Sequence, residues 1–479
     1  MKSIWSMDTK LTGQPELHGE IAADAVIIGA GMAGVLIGHE LKRRGVEAVL
    51  LERDQTAAGV TKNTTAKITA QHGLIYRKLI MDFGMEQARQ YATANLRAVE
   101  RFSEIIERGS IECDFIRCPS YVYSVSGTDH LYEEAKAACS LSINAEFTNE
   151  TTLPFPVKGA VRFPGQASMN PLKFLKSVAQ NLTIYEHTEV TEITEEGVKT
   201  SDGMVRAKHI IIATHYPFMD SPGWYFMRMH QQRSYVVALR GAGQLDGMYI
   251  GDGPDGYSFR NYGELLLLGG EEHRTGQNEN GGCYQRLRQA AKKFYPEAEI
   301  VAEWSAQDCI PMDGVPYIGK YASSAPNLYV ATGFNKWGMT SSMVSAMIIS
   351  SMIVGKECEF AGIFSPQRFN VTAAAANLWK DGVKAAKGIL RGKFMIPKEK
   401  LISLPAGQGG IVEYEGQKVG VYKNEEGEAF LVSPLCTHLG CQLEWNPDER
   451  TWDCPCHGSR FGYDGHVIEP PASQPLNRY

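Results

Sequence analysis

Two short segments near the end of the chain constrain it most: CTHLGC at 436–441 and, twelve residues later, CPCHGS at 454–459. Each supplies one thiol and one imidazole at close spacing, Cys436 with His438 and Cys454 with His457. A fold carrying both must bring two loops to one point, as metal-ligand patterns require. Two thiolates and two imidazoles suit a closed tetrahedral zinc site. Zinc ribbons and fingers, however, keep like ligands in one loop. One sulfur and one nitrogen per loop is the division needed when one iron takes both cysteines and a second takes both histidines.

Both boxes resemble, without a gap, those of the Rieske [2Fe–2S] family. The resemblance implies Cys436, His438, Cys454 and His457 as cluster ligands, and a Cys441–Cys456 disulfide of the kind found in the respiratory-complex type. It also implies a hydrogen bond from Ser459 to a cluster sulfur, which raises the reduction potential by stabilising the added electron. High-potential members carry a tyrosine where this chain has Phe461, so the potential is expected below the top of a range of roughly −150 to +300 mV. The PPA at 470–472 resembles the loop covering the cluster, and the two histidines are expected at its exposed end, as the exit to a partner.

The 479 residues suggest two or three domains, and a 43% hydrophobic content is ample for their cores. With 48 basic and 54 acidic residues the net charge is −6, which argues against nucleic acid or an acidic membrane as partner. The first twenty residues carry neither an apolar core nor a twin-arginine pair, so the protein is expected in the cytoplasm. The six cysteines at 113, 118, 139, 283, 309 and 358 show no paired ligand spacing, and most of them read as buried thiols. Nineteen uncharged residues, Trp337 to Gly355, are long enough to span a bilayer, but six of them are hydroxyl side chains. A helix inside a soluble domain is the expectation.

Residues 24–52 read strand, glycine turn, helix, strand. Gly29 permits the turn, Gly31 lets the backbone approach a pyrophosphate, Gly34 lets the helix lie on the strand, and Met32 and Ala33 open a helix whose free N–H groups face the phosphates. The second strand ends in Glu52 and Arg53, with Glu52 placed to accept hydrogen bonds from a ribose diol. That motif alone serves FAD or NAD. No second fingerprint of this spacing occurs before the cluster segments.

Further segments resemble the D-amino-acid oxidase and glycine oxidase superfamily of FAD enzymes over roughly residues 20–360. They are the loop with Gly59, Thr61, Thr64 and Lys67; the TIYEHTEVTEI strand with Val190; HIIIATHYP with Thr214; and LYVATGFNKWGMTSS with Gly333, Trp337, Gly338, Met339 and Thr340. The resemblance implies FAD, held by these residues, with the helix after Gly338 aimed at the flavin where negative charge develops on reduction. It also implies an α/β FAD-binding Rossmann-like domain (1–75, 151–221, 301–360) with an inserted α+β substrate domain (76–150, 222–300). A helical linker at 361–395 then leads to a C-terminal all-β Rieske domain at 396–479.

Amino-acid oxidases of this superfamily carry a carboxylate-binding arginine where WSAQDCIPMDGVPYIG offers Gln307 and Asp308, which argues against an ordinary amino acid as substrate. Arg260 and Arg233 are the alternative anion ligands. Lys336, His72 and Arg260 are the catalytic candidates, with His215 nearby and structural roles open for each; Cys309 reads as an inert thiol rather than a flavin attachment. A carrier of two electrons beside a carrier of one suggests a step-down device. The expected function is oxidation of an amine or N-alkyl amino acid at FAD, with electrons leaving singly through the cluster to an external one-electron carrier, as a dehydrogenase more than an oxidase. Reverse flow from an external donor, and a non-enzymatic redox sensor or electron-transfer module, are the alternatives.

Overall fold

The structure, a computed structural model, describes residues 2–368 and 404–479. Strand Gly19–Ile28 ends in the buried run Ala25 to Ile28, apolar without alternation because both of its faces are covered. It pairs in parallel with Ala48–Leu51 on one side and Gly203–Ile212 on the other. Helix Met32–Arg43 makes the crossover between the first two. The sheet runs Tyr317–Ala322, Ala325–Thr332, Gly203–Ile212, Gly19–Ile28, Ala48–Leu51, Thr183–Tyr185. The segment 183–193 is not one strand: Thr183–Tyr185 joins this sheet, a turn follows with His187 at φ +51°, and Val190–Ile193 begins a hairpin with Gly197–Thr200.

The uncharged stretch forms helix Gly338–Ile353, packed against Met32–Arg43 and Tyr76–Gly109. No helix among the described residues is long and apolar enough to cross a membrane. A second sheet, running Glu299–Pro311, Met229–Arg240, Leu265–Arg274, Ser258–Tyr262, Met248–Gly251, Ile116–Ser124, Gly159–Ser168, Lys67–Ile68, stands beside the first. It corrects the domain ranges read from sequence. Strands Gly159–Ser168 and Lys67–Ile68, and strand Glu299–Pro311 from residue 301 onward, assigned to the nucleotide domain, belong here, because a strand's own pattern states which face is apolar and not which neighbour it pairs with. Glu299–Pro311 pairs along its whole length with Met229–Arg240.

Residues 404–479 form two small antiparallel sheets, Gly409–Tyr414 to Ala429–Val432 and Glu444–Asn446 to Val467–Glu469, whose core packs Trp445, Trp452 and Phe461 around the cysteines. The last residues add an isolated bridge, Val432 to Arg478. Apart from the short helix Ala361–Phe364, the helical linker lies mainly outside the described residues.

Candidate redox centres

The first strand turns at Gly29, whose φ of +103° and 2.7 Å approach of a built Cβ to the Ala213 carbonyl leave room for no side chain. A Cβ on Gly34 would stand 1.9 Å from the Gly29 oxygen, so the helix lies on the strand only because residue 34 is glycine. Met32 N–H donates to Thr61 Oγ1 (3.0 Å), and Glu52 accepts from the N–H groups of Ala30 (2.9 Å) and Asp54 (3.0 Å). Burial raises the Glu52 pKa, and these backbone donors oppose the rise.

This turn opens on a cavity of about 970 Å³. Gly29, Gly31, Met32, Ala33, Glu52 and Arg53 line one end; Gly59, Thr61, Thr64 and Lys67 one side; Val190, Thr214 and His215 another; and Lys336, Trp337, Gly338 and Met339 the far wall. A Cβ on Gly59 or Gly338 would meet no atom, so both present bare backbone to the space. Burial, with the Arg260 guanidinium near it, lowers the Lys67 ammonium to about 7, and Lys67 donates to Ser258 Oγ. The crevice at the strand C-termini, the helix N-terminus and the bare glycines fit FAD.

Several expected residues stand behind the cavity wall. Gly34 and Gly333 are packing positions, the latter with a built Cβ 2.8 Å from Pro311. Thr340 donates to the Thr69 carbonyl (3.2 Å) and lies 3.0 Å from His72 Nε2. His72, read as a catalytic candidate, is fully engaged: Nδ1 meets the Tyr91 hydroxyl (2.6 Å), Nε2 meets the Thr69 carbonyl (2.7 Å), and the ring stacks on Trp337 at 4.7 Å. Burial lowers its pKa to about 3, so it stays neutral and props the wall. Arg260, the other correction, donates to the carbonyls of Thr65 and Met169 beneath Trp5, outside the cavity lining. Lys336 does line the cavity and pairs with Glu272. Cys309 is buried with its sulfur 3.4 Å from His215 Nε2.

In the cluster domain, Cys441 and Cys456 are joined as a disulfide with Cα atoms 6.6 Å apart. The buried thiols of Cys436 and Cys454 face each other, and their hydrogen bond lowers the first pKa and raises the second. His438 and His457 stand 5.0 Å apart, and the Nδ1 atom of each is buried without a hydrogen-bond partner. Burial beside His438 lowers His457 to about 4, leaving the neutral ring a metal needs. Two thiols and two orphaned ring nitrogens in one pocket fit the two-iron cluster. Ser459, fully buried, accepts from Ala472 N–H (3.0 Å), which leaves its hydroxyl proton for Cys436.

The histidines are not an exposed exit. His438 Nε2 meets the Asp220 carboxylate at 3.2 Å, and Phe226 sets its edge over both rings, at 5.8 and 5.3 Å. Gln231 Nε2 donates to the carbonyls of His457 (2.9 Å) and Pro470 (3.0 Å), and Gln307 Nε2 to that of Gly458 (3.0 Å). Strand 299–311 thus separates the two centres: Ser305 and Gln307 face the cluster domain, while Ala306 and Asp308 face the cavity. Arg233 pairs with Glu449 and Glu469 rather than with a substrate anion. Burial alone would raise Glu449, but Arg233 and Arg460 hold it at about 2. Asp220, Phe226, Gln231 and Glu449 carry no local sequence signal, because each acts on a residue more than two hundred positions away in the chain.

The profile of the FAD dependent oxidoreductase family matches residues 24–352, and that of the Rieske [2Fe-2S] domain residues 395–479. A Bacillus subtilis (strain 168) protein, named as Rieske 2Fe-2S iron-sulfur protein YhfW, is 35% identical over 494 aligned residues, covering 100% of this chain and 97% of its own. Among solved structures, glycine oxidase from Geobacillus kaustophilus matches 74% of this chain and 100% of its own at TM-score 0.61 and 19% identity. L-proline dehydrogenase from P. horikoshii matches 74% of this chain and 98% of its own at TM-score 0.60 and 17% identity. At these identities the two structures speak for the fold.

Proposed function

Because the chain belongs to the FAD dependent oxidoreductase family and carries a Rieske [2Fe-2S] domain at its C-terminus, we propose that it oxidises a C–N or C–O bond of a small organic substrate, of amine or N-alkyl amino acid type, and passes the electrons singly to an external one-electron carrier. When bound, FAD takes up two electrons as a hydride equivalent and the cluster holds one at a time. The protein acts as a dehydrogenase more than an oxidase, in the cytoplasm. One observation carries the reading: the histidine face of the cluster site is docked on the flavin unit, one strand away from the cofactor cavity.

The chain's own residues have separable tasks in this reading. Gly29, Gly31 and the first turn of helix 32–43 present backbone to the pyrophosphate, and Glu52 receives the ribose. Gly338 and Met339 direct the N-terminus of helix 338–353 into the cavity, where its dipole favours negative charge. Gln231 and Gln307 clamp the second ligand loop by its carbonyls, and Asp220 orients the His438 ring. An anaerobic screen of amines and N-methyl amino acids tests the reading. Bleaching of the flavin followed by loss of the cluster absorbance supports it; no bleaching by any compound overturns it. Turnover restored by oxygen alone, with stoichiometric peroxide and no change on Cys436→Ser, overturns the dehydrogenase assignment.

A further inference from the structure

A short segment ahead of the first strand takes no part in the parallel sheet, yet it is anchored in the core. Ser3 caps helix Ile4–Asp8, in which Ile4 and Trp5 are buried. Trp5 is wedged against the second sheet, with the Tyr262 ring edge-on at 4.6 Å and the Arg260 guanidinium 5.1 Å from its own ring.

The polar atoms of this segment reach the arm that lines the cofactor cavity. That arm begins with the helical turn Val60–Asn63, and the last carbonyls of a helix have no partners within it. Here four consecutive carbonyls find donors from three separate parts of the chain. The Ser3 hydroxyl donates to Lys62, Trp304 Nε1 to Asn63 (2.9 Å), Trp5 Nε1 to Thr64 (2.6 Å) and Arg260 Nη1 to Thr65. Held by its carbonyls, the arm lines the cavity with Thr61, Asn63, Thr64, Thr65 and Lys67. Among them Ala66 sits at φ +53°, a backbone region that side chains disfavour, and its N–H donates to Thr64 Oγ1 (3.0 Å). Strain of this kind persists only where the surroundings over-determine it, and it gathers at ligand sites.

We infer that Ser3 and Trp5 belong to the cofactor site: they hold the arm 61–67 in the shape that FAD requires, which leaves less ordering to be done on binding. Trp5 is a positioning residue that acts through Thr64. This role rests on FAD as the cofactor and is independent of the substrate and of the direction of electron flow proposed above.

The full-length holoenzyme tests it without substrate. Trp5→Phe keeps an aromatic ring beside Arg260 and removes the N–H; Ser3→Ala removes one hydroxyl and leaves Trp5 in place. A dilution series, read by the fluorescence of released flavin, should give a dissociation constant raised about tenfold for Trp5→Phe, the order expected when a carbonyl shielded by a buried ring loses its donor. Ser3→Ala should raise it about threefold, as the loss of one ordinary hydrogen bond does. Hydrogen exchange in residues 61–66 should accelerate by similar factors, while strands 25–28 and 48–51 keep their protection and the iron–sulfide absorbance is unchanged. If Trp5→Phe fails to fold, Ser3→Ala decides. FAD held within twofold of the parent by every folded variant overturns the role, even where residues 2–9 have themselves loosened. Loss of protection in both strands together with the arm also overturns it, because Trp5 then serves the fold as a whole and not the cofactor arm.

Discussion

Replacing Arg233 by methionine tests how the two units are held together. The side chain is 2% exposed and sits between carboxylates of the cluster domain: Nε donates to Glu449 at 2.9 Å, Nη2 reaches Glu449 and Ser305, and Nη1 lies 3.5 Å from Glu469. Removing one partner of a buried pair costs about 3–5 kcal/mol, because the other charge stays behind. Arg460 remains 3.1 Å from Glu449, which places the cost at the lower end, about 3 kcal/mol. At about 1.4 kcal/mol per tenfold, the docked form should lose roughly a hundredfold in its equilibrium against the undocked form. Hydrogen exchange reads this directly in the facing segments 276–283 and 446–449, where Asn278, Gly282 and Cys283 bond to Asp448. Exchange there should accelerate by about two orders of magnitude while the parallel sheet keeps its protection. Exchange unchanged within threefold would refute the reasoning.

Ser459→Ala should lower the cluster potential, and Phe461→Tyr should raise it. A hydrogen bond to a charged group is worth about 1.5–3 kcal/mol, and a one-electron couple shifts by about 59 mV per tenfold, so a redox titration should show a fall of about 65–130 mV for the serine variant. Gly34→Ala should abolish FAD binding or soluble expression, since its Cβ would stand 1.9 Å from a backbone oxygen; an alanine variant with full flavin content would contradict the turn geometry. Docking should weaken in acid. The Glu449 pKa is lowered in the folded protein, from 4.5 to about 2, so its stabilisation is present above pH 4.5 and disappears as the pH falls toward 2. Exchange in segment 276–283, taken relative to the intrinsic rate of an unprotected amide at each pH, should rise as the pH falls from 4.5 toward 2, and a flat protection profile would contradict the assignment.

The centres were legible where their chemistry is local. CTHLGC and CPCHGS place a sulfur and a nitrogen in each of two tight loops, and the glycine turn needs its three small residues within six positions. Strand and helix positions also followed from periodicity: RSYVVALR lies in strand 229–240, and SYVYSV and GELLLLGG overlap strands 116–124 and 265–274 to within two residues. Partnership was not legible. Strand 299–311 has the same alternation whichever sheet it joins, and nothing in WSAQDCIP states that Gln307 reaches the cluster loop while Asp308 faces the cavity. Arg233 and Arg260 stood as alternative anion ligands because the segment at 304–319 offers Gln307 and Asp308 in place of an arginine; their partners are carboxylates and carbonyls brought in by tertiary structure. His72 looked catalytic for its place in the chain, and its neighbours Tyr91 and Thr340, nineteen and 268 positions away, give it a supporting role.

The central claim is that two redox centres of unequal capacity exchange electrons within one chain, across the face held by Gln231 and Gln307. Light-driven reduction of the flavin under argon, with the flavin and iron–sulfide absorbances followed together, tests it most directly. The account requires the cluster to be reduced in a first-order phase whose rate does not change with protein concentration. A cluster that stays oxidised, or one whose reduction accelerates in proportion to concentration, would contradict it.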